Sequence, residues 1–151
     1  MTNIEILNKM RGMELQVIIQ YMSQHYYLAN IGMNDLAGKM KEIAIAEMKH
    51  AEKLGERIRD LGDVPLSVPA APLKADQECA EIYEFNTSLE ETALKDYNVF
   101  AKMLRELSDE ISADLVEDLL EDEQEHFNYF SNIENYIERF GDVYLAVQAK
   151  G

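Results

Sequence analysis

Apolar residues along this chain recur every three to four positions, the period of an α-helix, and nowhere alternate as in a strand. Four long segments carry the pattern. The first runs from about Ile4 to Ile31 and places Leu7, Met10, Val17, Ile18 and Tyr21 on one stripe. The second runs from about Asp35 to Leu61, with Asn34 as its expected N-cap and Met40, Ile43, Leu54, Ile58 and Leu61 facing inward. The third runs from about Ala75 to Leu107 on Ile82, Leu89, Ala93, Tyr97, Phe100 and Leu104. The fourth runs from about Asp109 to Phe140, with Ser108 as the expected cap and Leu115, Leu119, Phe130, Ile133 and Ile137 inward. Gly141 interrupts the pattern before a short amphipathic segment over 141–149, which predicts a short C-terminal helix.

Connection lengths set the topology. Only a few residues join the first and second segments, or the third and fourth, so each pair predicts an antiparallel hairpin. All three prolines, Pro65, Pro69 and Pro72, fall in the stretch between the hairpins, about residues 62–75. That stretch is long enough to cross the length of a bundle. The expectation is an all-α four-helix bundle with one long crossover, a single domain over 1–151.

Each apolar stripe is interrupted by acid. Glu14 falls between Met10 and Val17, Glu47 and His50 between Ile43 and Leu54, Glu90 beside Leu89, and Glu123 and His126 between Leu119 and Phe130. An unpaired buried carboxylate costs several kcal/mol, so four on core stripes call for a compensating cation. The register is repeated as well. Glu14 and Glu90 are 76 positions apart, as are Glu47 and Glu123, His50 and His126, and Tyr21 and Tyr97. Two of the three histidines stand three residues after a Glu, close enough on one helical face to share a metal. A Glu from each of two helices and a Glu-x-x-His from each of the other two make a di-iron carboxylate ligand set. Carboxylate and imidazole ligands suit iron or manganese. Glu91 lies about 100° around the helix from Glu90 and outside the repeat, so it reads as a surface acid.

Composition narrows the class. With 14 basic against 29 acidic residues the net charge is −15, which argues against a nucleic-acid partner. The single cysteine, Cys79, excludes an internal disulfide and any Cys-rich metal module, and fits a cytoplasmic setting. No secretory signal and no apolar run of membrane-spanning length are visible, so no membrane partner is expected. His25 lacks a Glu partner and reads as packing or surface, Cys79 as a small core residue, and Glu117, Asp118, Glu121, Asp122 and Glu125 as a solvated acidic face.

The segments MELQVIIQYM, IAEMKHAEKLGERI, LEETALK and LLEDEQEHFNYF resemble the bacterioferritins in order, spacing and sequence, over about Ile4 to Leu145. The resemblance implies a ferritin-like fold, Fe(II) oxidation by O2 or H2O2 at an intrasubunit di-iron centre, and storage of ferric mineral in a hollow homo-oligomeric shell. Such shells are 24-mers most often, with a smaller 12-mer as the alternative. By position, Glu14 and Glu90 would be terminal ligands, Glu47 and Glu123 bridging ligands, and His50 and His126 would each complete one iron. Tyr21 matches the tyrosine beside the family's site, and Tyr97, its partner in the repeat, would support a ligand by hydrogen bonding. The resemblance also implies haem between two subunits, with Met48, in the Glu-Met-x-His-Ala run, as axial ligand. A ferredoxin as the partner for iron release follows from the resemblance alone. Some family members carry a further inner-surface iron site on a His and an Asp; the matching positions here are Glu42 and Ala46. Two rival readings are a di-iron peroxidase or reductase of the rubrerythrin type, which commonly needs a Cys-rich module, and a haem electron-transfer module with a vestigial iron site.

Overall fold

In the computed structural model, which describes residues 1–149, the described residues form four helices and no strand. The last two residues of the expected 1–151 domain lie outside that range. The helices are α1 (Asn3–Asn30), α2 (Asn34–Asp60), α3 (Cys79–Glu106) and α4 (Glu110–Gln148). α1 packs along α2 and α3 along α4, while α1 meets α3 and α2 meets α4 across the hairpins. This is the expected bundle.

The helix starts differ from expectation in three places, each for a local reason. Asn34 is the first residue of α2 and not its cap; Met33 precedes it without a side-chain capping bond. The turn is closed instead by the left-handed Gly32 (φ 82°) and a bond from Met33 N–H to Leu28 O. α3 begins at Cys79, four residues later than Ala75. Asp76 is left-handed (φ 58°), and the Gln77 side chain is drawn into a buried amide cluster with Gln20 and Gln24. Glu78 and Glu81 then cap each other's backbone as a reciprocal box. Ser108 does not cap α4, because it is itself left-handed (φ 60°); the cap is Asp109, whose carboxylate accepts from Ser112 N–H at 3.1 Å. Helical geometry breaks at Gly141 (φ 50°), as expected, and resumes after it.

The crossover is tied down along α1. Arg11 donates to Ala51 O (3.1 Å) in α2 and to Leu66 O and Ser67 Oγ in the crossover. Ala70 N–H donates to Gly12 O at 2.8 Å, and a Cβ on Gly12 would stand 3.1 Å from Val68 O. Glycine is therefore what lets the strap lie so close.

Two apolar clusters fill the bundle. One gathers Leu7, Met10, Leu54, Phe100, Leu104 and Val116; the other gathers Leu28, Met40, Ile43, Ile82, Phe130 and Ile133. Val116 takes the buried position expected of Leu115, which is only half-buried. Between the clusters the stripes turn polar, and the six candidate ligands sit there.

Candidate metal centre

Glu14, Glu47, His50, Glu90, Glu123 and His126 are all buried, none more than 9% exposed. The helical register accounts for this: Glu14, Glu47 and Glu123 stand one turn after the buried Met10, Ile43 and Leu119, Glu90 one turn after the buried Asn86, and each histidine one turn after its own Glu, so the packing that buries the stripe buries the acid too. Their ligand atoms form two groups, Glu14–Glu47–His50–Glu123 and Glu47–Glu90–Glu123–His126, with all atoms in a group within 4.8 Å of one another. Glu47 and Glu123 belong to both. The geometry is that of two adjacent cation positions with two shared carboxylates.

The halves mirror each other closely. His50 Nδ1 lies 3.0 Å from Glu123 Oε1, and His126 Nδ1 lies 2.9 Å from Glu47 Oε1. Tyr21 OH donates to Glu90 Oε1 and Tyr97 OH to Glu14 Oε1, each at 2.7 Å. Each tyrosine thus steadies a carboxylate of the opposite half, and the 76-residue repeat that relates Tyr21 to Tyr97 also relates their contacts.

The electrostatics are those of carboxyl groups crowded together out of water. Burial, reinforced by the charge of neighbouring carboxylates, raises the carboxyl groups of Glu14, Glu47 and Glu90 above the usual range. Burial opposes ionisation of Glu123 as well, but the polar groups crowded around it, with His50 Nδ1 at 3.0 Å, outweigh it and hold that carboxyl well below its ordinary value. Burial would lower the His50 imidazole, yet Glu123 and Glu14 push it up to about 10. Even so, Glu14 Oε2, Glu47 Oε1, Glu90 Oε2, Glu123 Oε2 and His126 Nδ1 are buried without a hydrogen-bond partner. Orphaned lone pairs converging on one spot are what a metal would satisfy. Hard carboxylate oxygens with two imidazoles fit iron.

Residues 4–140 match the sequence profile of the ferritin-like domain. The chain is 43% identical to a bacterioferritin of Desulfovibrio desulfuricans over 95% of its own length and 80% of that protein's. The chain belongs to the bacterioferritin family, within the ferritin-like fold. It is also 30% identical to a bacterioferritin of Brucella melitensis over 92% of this chain and 86% of that one. A solved structure of the D. desulfuricans bacterioferritin, described as showing its diiron site in different catalytic states, superposes with a TM-score of 0.97 at 42% identity, covering 99% of this chain and 87% of that one. The bacterioferritin BfrA of Mycobacterium tuberculosis superposes with a TM-score of 0.91 at 28% identity, covering 97% and 92%.

Other sequence expectations find their places. Met48 is 54% exposed on α2, away from the carboxylate cluster, with exposed Ile45 one turn before it. His25 packs edge-on against Tyr26, with Nδ1 against Ala37 O. Cys79 is buried and free, and Glu91 is exposed. Among the described residues no helix is long and apolar enough to cross a membrane. Asp122 is one of the acids expected on the solvated face. Its side chain is half-exposed, and its carboxylate also lies 2.8 Å from His50 Nε2, at the edge of the centre. No spacing rule on α4 marks it, because its partner is on α2.

Proposed function

We propose that this chain is an iron-storage ferroxidase. It oxidises Fe(II) to Fe(III) at the intrasubunit centre formed by Glu14, Glu47, His50, Glu90, Glu123 and His126, and retains the ferric product inside a homo-oligomeric shell. The observation that carries this reading is the convergence of two overlapping ligand groups that share Glu47 and Glu123. Two Fe(II) ions are the substrate, and each gives one electron to O2 or H2O2. The protein holds them close enough for a two-electron oxidant to take both electrons together. Glu47 and Glu123 would bridge the pair, while Glu14 and Glu90, fixed by Tyr97 and Tyr21, would hold the outer sides. Glu47→Ala or Glu123→Ala is expected to abolish rapid Fe(II) oxidation in stopped flow with helix content unchanged by circular dichroism. Fast oxidation retained in both variants would overturn the assignment.

Haem binding between two subunits through Met48 is the second part of the proposal. A methionine more than half exposed beside another exposed apolar residue on α2 suits a face that meets a second copy. Purified protein loaded with haem is expected to show a Soret band that Met48→Leu removes. A band unchanged by that substitution would exclude the role.

A further inference from the structure

His50 and His126 hold equivalent places in the two halves of the centre, and their Nδ1 atoms meet equivalent carboxylates at nearly equal distances. Their other ring nitrogens do not match. His50 Nε2 lies 2.8 Å from Asp122 Oδ2. The position that answers to Asp122 in the repeat, 76 residues earlier, is Ala46, which carries no polar atom on its side chain. Among the described residues His126 Nε2 makes no hydrogen bond; Ala46 and His126 instead border a cavity of about 190 Å³ that Lys39, Glu42 and Glu125 also line. A carboxylate can only accept, so the contact with Asp122 favours keeping the Nε2 proton when Nδ1 gives up its own, which leaves the Nδ1 lone pair of His50 for a metal. Nothing does the same for His126.

We propose that Asp122 is a positioning residue that orients His50 from behind, and that Ala46 deprives His126 of its counterpart, so the two metal positions are unequal. The position completed by His50 fills first and holds a divalent cation more tightly than the position completed by His126. This rests on the metal-centre reading above and adds an order of loading to it. Partners behind a ligating histidine are worth about 10–100-fold in metal affinity.

Anaerobic titration of the metal-free full-length protein with Co(II), followed by the ligand-field absorbance of the bound ion, tests this without relying on oxidation. The expected result is two Co(II) per chain in two steps, with dissociation constants separated by about tenfold or more. His126→Ala is expected to keep the tight step and His50→Ala only the weak one. Asp122→Ala is expected to weaken the first step by about 10–100-fold and leave the second alone. Asp122→Asn, which keeps an acceptor for Nε2–H but not the charge, is expected to restore part of that loss. Ala46→Asp places a carboxylate in the cavity beside His126 and is expected to tighten the second step. Asp122 is half-exposed on its helix, so its replacement leaves the bundle folded. Two equal sites in the natural sequence, or constants that Asp122→Ala does not change, would overturn the proposal while leaving the metal centre standing. A chain that binds no Co(II) would overturn both.

Discussion

Four carboxyl groups packed among apolar helices oppose one another's ionisation, and the cluster divides the burden unequally. Glu14, Glu47 and Glu90 are raised by burial and mutual repulsion, whereas Glu123 is held ionised by the donors around it. The sign follows directly: a raised carboxyl holds its proton to higher pH than a free one, and a cation that binds there must displace it. Adding Fe(II) anaerobically to weakly buffered, metal-free protein near neutral pH is therefore expected to acidify the solution, and affinity is expected to fall as pH is lowered. Binding with no proton release would contradict this charge distribution. At this scale the sequence was informative wherever chemistry and helical register coincide. Glu14, Glu47, Glu90 and Glu123 betray themselves by occupying stripe positions that ought to be apolar, and the 76-residue repeat sorts Glu90 from Glu91. Asp122 escaped because its role depends on which α2 residue faces it, a distance that no pattern along α4 encodes.

Helix ends are the least legible elements, and they carry measurable stability. Asp109 caps α4, accepts from Ser112 Oγ (2.6 Å) and Asn3 Nδ2 (3.0 Å), and pairs with Arg57 at 2.8 Å, so one carboxylate ties together three helices. Burial would raise this carboxyl, but hydrogen bonds from Ser112, Asn3 and Arg57 bring it from the ordinary 3.8 to about 2. A depressed carboxyl stabilises the fold above its unfolded value and loses that contribution as pH falls through its folded value. Here about 2 kcal/mol is present above pH ~4 and disappears toward pH ~2. Asp109→Asn is expected to lower the urea midpoint at pH 7 by an amount worth about 2 kcal/mol, with the m-value unchanged, and to flatten the acid limb between those pH values. A midpoint equal to that of the natural sequence would show that the cap carries no weight. Helix existence followed from the 3.6 period and pairing from connection lengths, but on residue type alone Asn34 looks a better cap than Met33 and Ser108 as good a cap as Asp109. Backbone conformation decided: Ser108 occupies the left-handed region, and Gly32 closes the α1–α2 turn.

The whole molecule presents surfaces that a lone bundle has no use for. Phe140, Val143 and Val147 around the Gly141 bend are exposed, as are Val64, Leu66 and Val68 on the crossover. With Met48 and Ile45 on α2 they leave apolar groups on several sides, the arrangement expected of a subunit that meets copies of itself at more than one face. Sedimentation of the purified chain is expected to give one large closed species, and a monomer at micromolar concentration would contradict the shell. Crossover topology was readable from where the prolines lie, because connection length alone limits which helices can be neighbours. Self-assembly is not readable from the residues, since subunit contacts leave no periodic trace in a single chain.

The most direct test of the account is an aerobic titration of metal-free protein with Fe(II), following ferric absorbance against iron added per chain. Fast oxidation is expected to continue far beyond two irons per chain while the ferric product stays in solution. Oxidation that stops at two would leave a di-iron enzyme without storage, and a rate no faster than buffer would remove the ferroxidase centre itself.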